Sequence, residues 1–319
     1  MQSDLKKKTQ KWKAVVIGML VLAGLAAAMV VKSETKNSGR SSAQVTFVSQ
    51  AEAGAALANA ARNANGAEVD KILGASTRFL LSTGDRQTDQ AALQAFATKY
   101  DTMNRWVDMT DGSAVLYIGV DNYAFPVPLA RNASGEWYFD AVAGAEEVRA
   151  RDIGRNELLA IDACSALSGA QDAYLARGGD SGAYAQRIIS SSGKQDGLYW
   201  PASEKENSSP LASLSEFPRS SLVSLAPNQP LTIDGYTLRI LNAQGKDAPG
   251  GSKSYVVNGK MTGGFAILAT PVKYGETGIM TFMTGMDGVV YERDLGPDTA
   301  TIAAYIQEFN PTDDWSPVE

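Results

Sequence analysis

The run from Tyr184 to Pro201, YAQRIISSSGKQDGLYWP, places an arginine, three serines, a Gly-Lys pair, an Asp-Gly pair and a Tyr-Trp pair close together. Ser191 and Lys194 have the S-x-x-K spacing of serine acyl-enzymes, in which the lysine takes the serine proton. Gly193 argues for a loop where that motif opens a helix. No S-D-N or K-T-G element accompanies it, and Lys260-Met261-Thr262-Gly263 fails the spacing. Neither Gly193-Lys194 nor Gly259-Lys260 completes GxxxxGK[ST], so nucleotide phosphates are not expected. Asp196-Gly197, Asp287-Gly288 and Gly179-Asp180-Ser181-Gly182 offer oxygens without the alternating ligands and final glutamate of an EF-hand, and read as turns.

Two further readings of the run concern binding. Tyr199 and Trp200, beside Arg187 and Lys194, could stack on a sugar or peptide; equally, Leu198 and Trp200 could anchor a polar loop in a core. A second charge cluster, Arg149, Arg151, Asp152, Arg155, Asn156 and Glu157, crowds the entrance of a helical run. It reads as an ion-pair network between domains or, through Arg155 and Glu157, as part of a binding cleft. Were the chemistry hydrolytic, Asp196 and Glu157 would be the carboxylates available for it.

Composition removes whole classes of mechanism. There is no histidine, which eliminates His-dependent triads, HExxH sites and imidazole acid–base chemistry. The one cysteine, Cys164, excludes internal disulfides and Cys-rich metal clusters, and reads as a small buried hydrophobe. No metal and no cofactor is expected. The net charge of -6 is unevenly distributed, with most of the basic excess before residue 43. The acidic remainder is a poor match for a nucleic-acid backbone.

Residues 1–13 form a basic flank, with Lys6, Lys7, Lys8, Lys11 and Lys13 ahead of the apolar run AVVIGMLVLAGLAAAMVV at 14–31. At 1.5 Å per residue the run spans about 27 Å, close to the thickness of a bilayer core. It predicts a single-pass membrane anchor with a cytoplasmic N-terminus and the C-terminal part exported. A cleaved signal releasing the exported part is the alternative. Polar residues 32–48 read as a linker.

Two domains are expected beyond it, 49–150 and 151–319. In the first, Ser49 and Glu52 have capping-box spacing, and Leu93, Phe96, Ala97 and Tyr100 make one face of a helix over 88–105. Strands at 112–120 and 124–131 follow, then a turn at Ser134-Gly135 and another strand. Helices first and antiparallel strands afterwards predict an α+β layer with room for a cavity or groove. In the second, 153–176 is a helix burying Ala160, Cys164, Leu167, Ala170 and Tyr174. Strand-like runs at 236–244, 254–260, 264–272, 278–285 and 289–295, separated by turn residues, predict an antiparallel meander, ahead of a last helix and an acidic tail.

IGRNELLAI, SSGKQDGLYWP, YVVNGKMTGGFAILATPVKYG and GIMTFMTGMDGVVYERDLGPDT closely resemble the DUF2950 family of exported bacterial proteins, over about Phe47 to Pro317. The resemblance implies a secreted or envelope-anchored bacterial protein, which puts the anchor at 14–31 in the bacterial inner membrane with the C-terminal part in the periplasm, or releases it to the periplasm after cleavage, and carries no activity, cofactor or catalytic residue. More distantly, the helix from Asn156 with GYTLRIL, GFAILATPV and GIMTFMTGMDGVVY resembles the globular half of type IV pilins and type II pseudopilins, a helix packed on an antiparallel sheet. The first domain looks like the cone-shaped fold of the nuclear-transport-factor type. The leading expectation is therefore a non-enzymatic envelope accessory or binding protein contacting an envelope protein or polymer through Arg155, Glu157, Arg187, Lys194, Asp196, Tyr199 and Trp200. A carboxylate hydrolase of envelope polymers and a fibre or secretion-machine component are the alternatives.

Overall fold

A computed structural model describes residues 44–74, 77, 84–201, 208–213 and 230–318. The run 14–31 lies outside them. Among the described residues no helix is long and apolar enough to cross a membrane. The chain divides into two compact units, Met1–Arg151 and Asp152–Glu319, and its described parts are α+β with antiparallel sheets.

The first unit opens with helices α1 (Gln50–Arg62), α2 (Gly66–Leu73) and α3 (Arg86–Thr102). Ser49 Oγ accepts the Glu52 N–H at 3.2 Å and Glu52 Oε2 accepts that of Val48, so two otherwise orphaned donors are satisfied. Asp85 caps α3 in the same way, accepting from Thr88 N–H at 2.7 Å, and the helix starts two residues earlier than Thr88. Gly54 of α1 makes room for α3, since a Cβ there would meet the Tyr100 hydroxyl at 2.8 Å.

Strands β1 (Asn104–Asp108), β2 (Ala114–Ile118), β3 (Tyr123–Ala124), β4 (Leu129–Arg131) and β5 (Trp137–Phe139) follow. Their order is β1-β2-β4-β5, with β3 beside β2 and every pair antiparallel. Ala114, Leu116 and Ile118 alternate into the core, where they join Leu57, Ile72, Leu129 and Phe139. Residues 44–48, the last of the expected linker 32–48, are built into this unit. Gln44 is buried and donates to Ile72 O and Phe139 O, and Phe47 exchanges both backbone hydrogen bonds with Trp137.

Helix α4 (Ala141–Ala176) starts at the Asp140 cap, twelve residues before its expected start; it is not broken at Gly154. Its second half buries Ala160, Cys164, Leu167, Ala170 and Tyr174. The buried Gln171 side chain donates to Ala185 O and accepts from Ala185 N–H, both at 2.8 Å, so it pairs with the chain as a backbone amide would.

The second unit's sheet runs β6 (Leu231–Ile233), β7 (Tyr236–Leu241), β12 (Ala266–Pro271), β13 (Met280–Thr284), β14 (Val290–Asp294), β15 (Ser316–Pro317), each antiparallel to the next. Two short hairpins lie between β7 and β12: β8 (Ala243–Gln244) with β9 (Lys253–Ser254), and β10 (Val256–Val257) with β11 (Lys260–Met261). Asp234-Gly235 and Asn258-Gly259 all have positive φ, the requirement of the tight hairpin turns they form. The strands β12 and β13 are buried on both faces. On one side Arg239 donates to Ala303 O at 3.0 Å and to Ile306 O, closing the end of α5 (Thr299–Tyr305). Burial of Cys164 pushes its thiol up to about 12.

Candidate functional site

The loop 184–201 holds itself together with the groups that drew attention to it. Asp196 accepts the Ser191 N–H at 2.7 Å and the Ser191 hydroxyl at 2.9 Å; Arg187 donates to the same hydroxyl at 2.6 Å and lies 3.6 Å from the Asp196 carboxylate. Burial alone would raise the Asp196 carboxyl, but the Ser191 hydrogen bonds and the Arg187 charge outweigh it and hold it below its ordinary value. Ser191 Oγ donates to a carboxylate and accepts from a guanidinium, and among the described residues no lysine is hydrogen-bonded to it. Lys194 is exposed and closes the turn through its backbone N–H to Ser191 O.

Beyond the turn the chain runs alongside itself. Tyr199 N–H bonds to Ile188 O, and Ser190 N–H to Tyr199 O, a parallel bridge. Gly197 is required by that approach, because a Cβ would lie 2.8 Å from Ser190 N and 2.9 Å from Ile189 C. Leu198, Tyr199 and Trp200 are 0%, 7% and 6% exposed, so their side chains belong to the core and are not offered to a ligand.

The second charge cluster is also placed by local partners. Arg151 pairs with Glu147 at 2.8 Å and donates to Ala124 O, while Arg155 pairs with Asp152 at 2.8 Å, exposed to solvent. Glu157 pairs with neither arginine: its Oε1 accepts the N–H groups of Ile279 and Met280 at 2.9 and 3.0 Å. Asn156 donates to Thr277 O at 3.0 Å, so these two residues fasten α4 to the connection before β13. Asp196 and Glu157 therefore serve different segments. The group that senses Glu157 is Glu292 of β14, whose carboxyl is raised first by burial and then by the Glu157 charge. Tyr236 lies in the same field; burial raises its phenol and its hydroxyl donates to Met280 O at 2.8 Å. Among the described residues no group of three or more acidic or cysteine side chains could hold a metal ion.

The first unit contains the opening that the loop lacks. A cavity of about 900 Å³ is lined by α1, α2, α3 and the β2–β3 end of the sheet. Leu57, Leu73, Ile118 and Phe125 supply buried apolar wall, and Leu93 and Phe96 line it from α3. Much of the remaining lining is small: Ala61, Ala64, Gly66, Ala67, Ala92 and Ala95. Arg86, Gln90, Asp70, Asp89 and Lys99 supply its polar part. Lys99 is held by Asp121 at 2.7 Å and sits 5.3 Å from the Tyr123 ring centroid. The volume falls within the roughly 300–1,000 Å³ typical of small-molecule sites, and the mix of apolar wall and few polar groups is the usual one. Sequence reasoning anticipated a cavity between layers but not its residues. The available signal was the stripe Leu93, Phe96, Tyr100, which continues backwards to Gln90 and Arg86 once the Asp85 cap is recognised.

Fold and cavity together define an α+β protein of two units, the first carrying a ligand-sized opening. The chain belongs to the family described as "Protein of unknown function (DUF2950)", which matches residues 44–318. No curated protein and no solved structure matches the chain.

Proposed function

We propose that this is an exported, envelope-associated binding protein without catalytic activity, and that its first unit takes a small ligand into the cavity of about 900 Å³ that carries this reading. The anchor at 14–31 and the periplasmic position follow from the sequence pattern. In this reading the 187–200 loop is a rigid support, and any contact with an envelope protein or polymer is made by its exposed Lys194 and by Arg155.

The test is extraction of small molecules from the full-length chain purified out of envelopes, beside an Ala95→Trp variant that fills the cavity rim. A stoichiometric compound released from the wild type and absent from the variant is expected. An identical extract from both overturns the cavity reading. N-terminal sequencing of the same preparation separates an intact anchor from a chain beginning near Gln44.

A hydrolytic reading has one observation in its favour: burial first, and the Glu157 charge second, raise the Glu292 carboxyl. A carboxyl with raised proton affinity is what a general acid requires. Under that reading the wild type turns over an envelope polymer and Glu292→Gln abolishes it; under ours the wild type shows no turnover. The helix-and-meander layout of the second unit is what a fibre-forming role would rest on, and we give it third place.

A further inference from the structure

We infer that the cavity of the first unit binds an amphipathic monoanion, an apolar chain or ring system ended by one acidic group, with that group held by Arg86 and Gln90. The inference rests on the reading of this cavity as a ligand site and names what enters it.

The argument comes from one helix. Arg86, Gln90, Leu93 and Phe96 of α3 all line the cavity, and their spacing of four, three and three residues keeps them on one side of the helix. Along that side the chemistry changes from cation to amide to aliphatic to aromatic within about three turns. The apolar end meets Ile118 and Phe125 of the sheet, with Phe96 and Phe125 ring centroids 5.1 Å apart. A ligand matching this gradient has one polar end and an apolar body.

The sign of the polar end follows from which charges are already engaged. Lys99 is held by Asp121, and Asp70 and Asp89 have interaction partners of their own. Arg86 and Gln90 make no side-chain hydrogen bond or ion pair with another described residue. Among the described charged and amide side chains of the lining, the uncommitted ones are thus the exposed Arg86 guanidinium, which donates only, and the Gln90 amide, which can also donate. An acidic group accepts from both, and a carboxylate matches the guanidinium fork.

Calorimetric titration of the full-length chain with decanoate and with decanol, using protein-free carrier as the reference, tests this. The wild type should bind decanoate about tenfold more tightly than decanol, the difference a charge-assisted contact supplies. Arg86→Gln should remove that preference, bringing the two affinities together. Ala95→Trp should weaken both probes, and Gly66→Leu, at a position whose Cβ meets nothing within 4 Å, provides a second obstruction should the first fail to fold. Equal affinities in the wild type, or a preference that survives Arg86→Gln, overturn the monoanion assignment while leaving the cavity as a ligand site. Absence of binding by either probe overturns both.

Discussion

The loop 184–201 and the cavity of the first unit stand in contrast. The loop carries the charged, hydroxylated and aromatic residues that suggest catalysis, and nearly every one is consumed in positioning backbone. Ser191, Asp196 and Arg187 satisfy one another, while Tyr199 and Trp200 are buried. The cavity is framed largely by α1, α2 and α3, whose most frequent residue is alanine and whose pattern suggests no chemistry. Space for a ligand comes from small side chains, and a close-packed interior has none to spare. Chemical richness in a sequence therefore marks the segment with the most backbone to satisfy, and blandness marks the segment with room.

Four substitutions would sharpen or break this contrast. Trp200→Ala should be the most damaging, costing about 3–5 kcal/mol by leaving a void in the second unit's core; chemical denaturation measures it. Gly197→Ala should cost about 1–3 kcal/mol, because its new methyl meets backbone atoms that have little freedom to retreat. A neutral outcome at either position would mean that the loop is looser than its hydrogen bonds indicate.

Asp196→Asn should cost about 1–2 kcal/mol at pH 7 by weakening charge-assisted hydrogen bonds. The Asp196 carboxyl is lowered in the fold, so its stabilisation is complete above the unfolded-state value and is lost as pH falls through the folded value. Melting curves of the two proteins should therefore converge in acid and diverge towards neutrality; a constant gap would remove the electrostatic account. Gly66→Ala, at the open cavity rim, should change stability least, within about 0.5 kcal/mol. A large cost there would show that the rim is as tightly built as the loop.

Legibility in the sequence followed the range of the interactions. The Ser49–Glu52 cap, the α3 stripe from Leu93 to Tyr100, the buried face of α4 and the Asn258-Gly259 turn all depend on residues within a few positions of one another, and each is found where the pattern puts it. Strand β1 was hidden because Asn104 and Arg105 continue a helical pattern; its pairing with β2 is what makes Trp106 and Val107 extended. The strands β6 and β15 have three and two residues and exist only through their neighbours. Glu157 was recognised, but its partners Ile279 and Met280 lie more than 120 residues away, and no local signal connects them. The cavity walls come from α1, α2, α3 and the sheet. Its volume is a property of surfaces that fail to meet, which no single stretch encodes.

Cys164 supplies the second unit with its own reporter of opening. The thiol is fully buried and its ionisation is suppressed, so alkylating reagents reach it only when α4 lifts from the sheet. Because the chain has one cysteine, every labelling event dates an excursion of that unit and of no other region. Labelling rates followed in intact cells would thus time the breathing of one half of the molecule in its own compartment, without any engineered tag.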